Sequence, residues 1–302
     1  MENLKKIIFF FVNNFFELLS VILRLDSNLI IFNSTNNNSF NFNSKYLFLH
    51  FIRNVPDYSC YFVVNDEYKR RKLIEMYGDH FINTNTVRGG MIACKAKFWV
   101  ASALETPYFI IPYFKNKERV IYHIGHGVPL KKIGLAEEKI NLLKYINRYL
   151  RTRVFTHVLS YSPSYEGVMK SIFKNKKIHF MHFGQPRNDK LILDEYISKK
   201  NIYKFYPKID AEAKLVLYAP TWRNYSPTKF FPFVDANPKV LNEFLKENNI
   251  YLFLREHPFY SSEINEGFLK KSNILFFNTD PFAEIMDYMS AFDKIITDYS
   301  SI

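Results

Sequence analysis

The chain has 302 residues, length enough for about two domains. Hydrophobic residues at 48% and charged residues at 23% exclude disorder along the whole chain, and 9 Gly with 13 Pro exclude a collagen-like or Gly/Pro-rich polymer. Two cysteines cannot build a disulfide framework or a four-ligand zinc site, a mean hydropathy of −0.18 excludes a multi-span membrane protein, and a net charge of +12 favours an anionic partner.

The first 25 residues alternate apolar runs with Lys6, Asn13, Glu17, Ser20 and Arg24, whose spacing stacks them on one helical face. A membrane span needs about 20 uninterrupted apolar residues, so a polar stripe argues against one, and no small-residue cleavage site marks a signal peptide. Residues 1–26 are therefore read as an amphipathic helix lying on a membrane surface, with Lys5 and Lys6 near anionic head groups. The alternative is an ordinary helix packed on the domain core.

Asn28–Phe32 reads as a buried strand and residues 33–44 as an Asn-rich loop. Lys45–Ile52 reads as a helix, Tyr61–Val64 as a strand, and Asp66–Tyr77 as a helix opened by an Asp cap. Arg119–Ile124 is a strand, Glu137–Arg151 a helix, Thr156–Ser160 a strand and Ser164–Phe173 a helix. The Lys-, Tyr- and Asp-rich stretch from about residue 190 through Glu212 reads as a connection between domains. The alternation then restarts: strands at Lys214–Tyr218, Ile250–Leu254, Ile274–Phe277 and Lys294–Ile296, with helices at Pro238–Glu247 and Phe282–Met289. Such alternation implies α/β architecture with parallel sheets, here two Rossmann-like domains facing a cleft, at 27–195 and 196–302.

Ligands of such sheets sit at the carboxyl ends of the strands. No Walker loop, dinucleotide Gly fingerprint, HExxH, G-x-S-x-G or paired-Cys spacing is present. What remains is five strand-end loops. Gly125-His126-Gly127 lets backbone approach a ligand, offers an imidazole as a base near neutral pH, and is followed by Lys131 and Lys132. His123, inside the strand, reads as a core residue. Gly184–Asp189 reads by itself as a turn with a helix cap. Tyr218–Arg223 places Thr221 and a guanidinium, that of Arg223, after a strand, where it could hold phosphate. Arg255-Glu256-His257-Pro258 offers a second histidine, and Asp298-Tyr299-Ser300-Ser301 offers hydroxyls at a helix start, either as caps or as a phosphate site.

Together and in this order, these loops resemble the CDP-glycerol:poly(glycerophosphate) glycerophosphotransferase family. The matching residues are 125–134, 184–189, 218–223, 255–258 and 296–301. The resemblance implies a GT-B fold, an N-terminal acceptor-side domain and a C-terminal CDP-alcohol domain. It implies peripheral attachment to the cytoplasmic face of the cell membrane, with no nucleic acid as partner. Its two essential histidines map onto His126 and His257, and its diphosphate site onto Ser300 and Ser301. Gly125, Gly127, Lys131, Thr221, Arg223, Arg255 and Asp298 complete the expected substrate contacts. The family usually has Trp before the first histidine and Thr two residues after it, where this chain has Gly125 and Val128. The family also continues past the Asp-Tyr-Ser-Ser motif, so the second domain is expected to be incomplete here.

The implied reaction is attack by a polyol hydroxyl on the β-phosphorus of CDP-glycerol or CDP-ribitol, releasing CMP. The acceptor is a lipid-linked polyol phosphate or glycan. No metal-ligand cluster or other cofactor is visible, and Mg²⁺ recruited through substrate oxygens is left open. The alternatives are a GT-B glycosyltransferase using a nucleotide sugar, an inactive membrane-associated remnant, and a nucleic-acid binder suggested by charge alone.

Overall fold

A computed structural model of the chain describes residues 11, 15–16, 18–108, 116–193, 195–220, 230–255, 272–277 and 284–298. The chain divides into two compact units, Met1–Arg187 and Asn188–Ile302.

The first unit is built on a parallel sheet of seven strands: β1 (Asp26–Asn33), β2 (Ser59–Val63), β3 (Phe81–Ile82), β4 (Ala96–Ala101), β5 (Val120–His123), β6 (His157–Leu159) and β7 (His179–Met181). Their order is β3-β2-β1-β4-β5-β6-β7. Neighbouring residues of a strand point to opposite faces. In β1, Ile31 therefore enters one core with Trp99, Val63 and Phe155, while Phe32 enters the other with Phe48, Phe62 and Phe81. Burial on both faces explains the unbroken apolar run Leu29–Phe32 within β1. The second core takes up part of the aromatic surplus: Phe40 meets Phe62 edge-on at 4.9 Å, and Phe48 meets Phe62 at 5.5 Å. The two thiols divide between the faces. Cys60 lies in the Phe-rich core and Cys94 in the other, and burial pushes the Cys60 thiol up to about 12.

Around this sheet run α1 (Phe42–Asn54), α2 (Glu67–Tyr77), α3 (Val87–Lys95), α4 (Leu142–Thr152) and α5 (Glu166–Phe173). The Asp66 carboxylate caps α2 as expected, accepting from the Lys69 N–H at 2.9 Å. The fourth helix starts at Leu142, five residues later than the spacing suggested. Asn141 caps it there, and Glu137 folds back to pair with Lys144 at 2.8 Å. Four elements were not anticipated: β3, α3, β4 and β7.

The described part of the N-terminal segment packs one face on the first unit and leaves another exposed. Helical residues are described at 11, 15–16 and 18–22. Phe16 and Ser20 are buried, with the Phe16 ring stacked on Tyr108 at 6.2 Å and its carbonyl accepting from the Cys94 thiol at 3.2 Å. Ser20, expected on a solvated polar stripe, is thus turned inward, and Asn116 binds its carbonyl at 2.5 Å. Phe11, Phe15, Leu18 and Ile22 remain exposed, Ile22 by 78%. Among the described residues, no helix is long and apolar enough to cross a membrane.

The second unit carries four parallel strands, β8 (Lys214–Tyr218), β9 (Ile250–Leu254), β10 (Ile274–Phe276) and β11 (Lys294–Ile296), in the order β10-β9-β8-β11. The stretch read as a connection instead holds α6 (Lys190–Leu193) and α7 (Glu195–Phe205). Its aromatic and aliphatic residues have packing roles: Ile202 is fully buried, and the Tyr206 hydroxyl donates to the Phe276 carbonyl at 2.6 Å. Next comes α8 (Pro238–Glu247), capped by Asn237. Within the expected 282–289 helix, Phe282 and Ala283 lie outside the described residues, and the rest is a tight 3-10 turn, Ile285–Asp287, with a second at Met289–Ala291.

His123 is a core residue, wedged between Phe155 at 5.2 Å and Phe173 at 4.9 Å. Burial, helped by the neighbouring His126, pushes its pKa down to about 3. The folded state therefore holds the ring neutral. Below the unfolded value of about 6.5 the unfolded chain gains a proton that the folded chain refuses. The contribution is complete above that value and is lost as pH falls toward 3. Urea unfolding should show wild type losing roughly 2 kcal/mol more than His123→Phe between pH 7 and pH 5.

Candidate active site

The polar loops sit where the sheet architecture predicts, at the carboxyl ends of strands. In the first unit, β5 runs into Gly125-His126-Gly127. Gly125 has φ +66°, and a Cβ there would lie 2.4 Å from the Tyr161 hydroxyl. Both glycines are buried and His126 is exposed, so the loop presents the imidazole outward from a packed base. Lys131 is exposed a few residues on.

The imidazole is held on two sides. Its Nδ1 lies 2.9 Å from the Ser102 carbonyl oxygen, and its ring stacks on Phe42 at 4.9 Å and 29°. A carbonyl has no hydrogen to give, so in the neutral ring Nδ1 carries the proton and Nε2 carries the lone pair. That is the tautomer a general base requires at Nε2.

The loop backbone is held as well. The buried Asn43 amide donates to the Ile124 carbonyl at 2.8 Å and the Gly125 carbonyl at 3.0 Å. Its Oδ1 accepts from the Arg187 N–H at 3.2 Å, and Gln185 lies 3.3 Å from its Nδ2. The Gly184–Asp189 loop is thereby joined to the histidine loop. Tyr161, itself at φ +67°, donates from its hydroxyl to the Gly127 carbonyl at 2.9 Å. Burial pushes the Tyr161 phenol up to about 12, so it stays protonated as this bond demands. Asn43, Phe42, Ser102 and Tyr161 were not singled out from the sequence. The available signal was the Asn-Phe-Asn-Ser run before a helix, a pattern of capping residues.

In the second unit three strand ends are tied together. The Ala219 N–H donates to the Ile296 carbonyl at 2.9 Å, Thr297 Oγ1 donates to the Ala219 carbonyl at 2.8 Å, and the Arg255 N–H donates to the Tyr218 carbonyl at 2.9 Å. The loops carrying Arg255 and Asp298 thus leave the sheet beside the 218–220 segment. Arg255 directs one guanidinium nitrogen to the Phe277 carbonyl at 3.1 Å and lies 5.7 Å from that ring. Burial lowers its pKa. Thr221, Arg223, His257, Ser300 and Ser301 lie outside the described residues.

Two parallel sheets with these motifs at their strand ends define a GT-B-like α/β protein. The chain belongs to the CDP-Glycerol:Poly(glycerophosphate) glycerophosphotransferase family, which it matches over residues 15–302. It is 24% identical to the teichoic acid poly(glycerol phosphate) polymerase of Bacillus subtilis strain 168, over 90% of this chain and 36% of that protein. It is likewise 24% identical to the teichoic acid glycerol-phosphate transferase of Staphylococcus aureus, over 100% of this chain and 76% of that one. It therefore spans about a third of the first relative and three quarters of the second. The wall teichoic acid polymerase TagF, solved after soaking with CDPG, shares the fold at a TM-score of 0.73 and 19% identity, over 96% of this chain and 71% of that one.

Gly125→Ala should lower the melting temperature, because the added methyl meets Tyr161 and the positive φ is strained by about 1–3 kcal/mol. Adding Tyr161→Phe should recover the steric part and leave the backbone part. Strictly additive losses in thermal melts would contradict the clash.

Proposed function

We propose that this chain transfers a polyol phosphate, glycerol phosphate or ribitol phosphate, from a CDP-alcohol to a growing teichoic acid or lipid-linked acceptor, releasing CMP. What carries this reading is the family match over residues 15–302, which takes in all five strand-end motifs. The histidine loop adds a chemical reason, since an exposed imidazole with its Nδ1 bound to a carbonyl is poised to accept a proton at Nε2.

In this mechanism His126 is the general base on the acceptor hydroxyl. As that oxygen bonds to the β-phosphorus, the bond to the CMP oxygen breaks and the negative charge passes to CMP. His257, with Arg223 or Arg255, stabilises the phosphoryl charge or the leaving group. Ser300, Ser301, Asp298 and Thr221 bind the donor, while Gly125, Gly127 and Lys131 border the acceptor. Positioning and charge stabilisation carry such a transfer without a covalent intermediate.

Purified protein incubated with each CDP-alcohol and a lipid-linked acceptor should release CMP. His126→Ala and His257→Ala should each lower turnover by about 10²–10⁴-fold with the fold intact. Release of UDP from a nucleotide sugar, or no CMP from either donor, would reject the assignment.

The same reading sets the protein at the cytoplasmic face of the membrane as a peripheral protein. Support comes from the exposed Phe11, Phe15, Leu18 and Ile22 and from the net charge of +12. Phe15→Ser with Ile22→Ser should reduce co-sedimentation with anionic vesicles while leaving the melting temperature unchanged. Equal binding would count against an N-terminal contact.

A further inference from the structure

Three consecutive residues at the start of α1 converge on the histidine loop by three different routes. The Phe42 ring stacks on the His126 imidazole. The Asn43 amide grips the two carbonyls that precede His126. The Ser44 N–H donates to Ser102 Oγ at 2.7 Å, and the Ser102 carbonyl is the group that receives the His126 Nδ1 proton. The contacts made by these three residues span sequence separations of 58 to 84 residues, so the fold and not local chain geometry brings them together.

Phe42 holds φ +61° to do this. A bulky residue in the left-handed region is an outlier, and glycine would sit there without strain. Asn43 is fully buried, with both ends of its amide used. Of the protein side chains, an amide of this length can donate to two carbonyls and accept from a third backbone group at once; an aspartate supplies only acceptors.

We propose that Phe42, Asn43 and Ser44 are positioning residues for His126: they fix its tautomer and ring orientation so that Nε2 faces the acceptor hydroxyl as a base. The assignment rests on the catalytic role proposed for His126, but the tautomer can be read without any turnover. Phe42 acts by stacking, Asn43 by fixing the loop backbone, and Ser44 through its N–H and the Ser102 peptide.

The test uses the whole chain labelled with ¹⁵N-histidine, with long-range ¹H–¹⁵N spectra at a pH where His126 is neutral and His126→Gln as the assignment control. Wild type should show a protonated Nδ1 and a bare Nε2 at His126. Phe42→Gly relieves the backbone strain, so its melting temperature should equal or exceed that of wild type. Its His126 should nevertheless populate both tautomers, and kcat should fall by about 10–100-fold with KM for CDP-glycerol within about twofold. Asn43→Asp keeps the shape and loses the donors, and should show the same spectral change. Asn54→Ala, at the far end of the same helix, should change neither reading. Should the protein release no CMP, the spectra still decide the positioning claim while the proposed function fails separately. A His126 protonated at Nε2 in wild type would overturn the proposal. So would a folded Phe42→Gly that keeps the wild-type tautomer or, in an active enzyme, the wild-type kcat.

Discussion

Where a parallel strand ends and turns sharply, its last carbonyls lose their ladder partners, and if buried they must find others. At the end of β5 that requirement falls on Ile124 and Gly125, and one side chain, Asn43, meets it for both. Because the same amide also receives the Arg187 N–H, the turn after β5, the first turn of α1 and the segment after β7 are held as a single piece. The outward pose of His126 follows from this arrangement. Without the amide, burial of those carbonyls would be costly, and the loop would be drawn toward water.

Much of the fold was legible because short apolar runs between polar loops leave an obvious trace. Lys214–Tyr218, Ile250–Leu254 and Lys294–Ile296 are short apolar runs bounded by polar loops, and Pro238–Glu247 opens on an Asn-Pro start; all four have the bounds read from the sequence. The central strand β4 was missed because Ala96, Lys97 and Ala101 dilute its apolar signal, although it is paired on both sides. The preceding helix was missed because Gly89-Gly90 reads as a breaker. Its Gly89 is needed because a Cβ there would come within 2.0 Å of the Asn83 carbonyl oxygen. The first histidine loop was legible as a motif. Its supports were not, since Asn43 and Tyr161 work through backbone carbonyls distant in sequence, and the first lay inside an Asn-rich run that looks like low complexity.

The second unit applies the same logic with different groups. Three of its strand ends are fastened to one another by main-chain N–H groups and the Thr297 hydroxyl. Arg255 is partly committed to this framework through the Phe277 carbonyl, which orders the guanidinium. The N-terminal helix shows a related division of labour. One side supplies Phe16 and Ser20 to the core, and the other keeps a row of large apolar side chains in contact with solvent.

The placement of the two thiols gives the first unit a built-in chemical reporter. Each sits in a different core, so neither can meet an alkylating reagent until its own layer opens. Cys94 donates to the Phe16 carbonyl, so its modification rate tracks release of the N-terminal helix. Cys60 lies beneath the Phe-rich layer under α1, so its rate tracks loss of that layer. Mass spectrometry of maleimide uptake at the two positions would therefore separate peeling of the terminal helix from melting of the sheet in one sample.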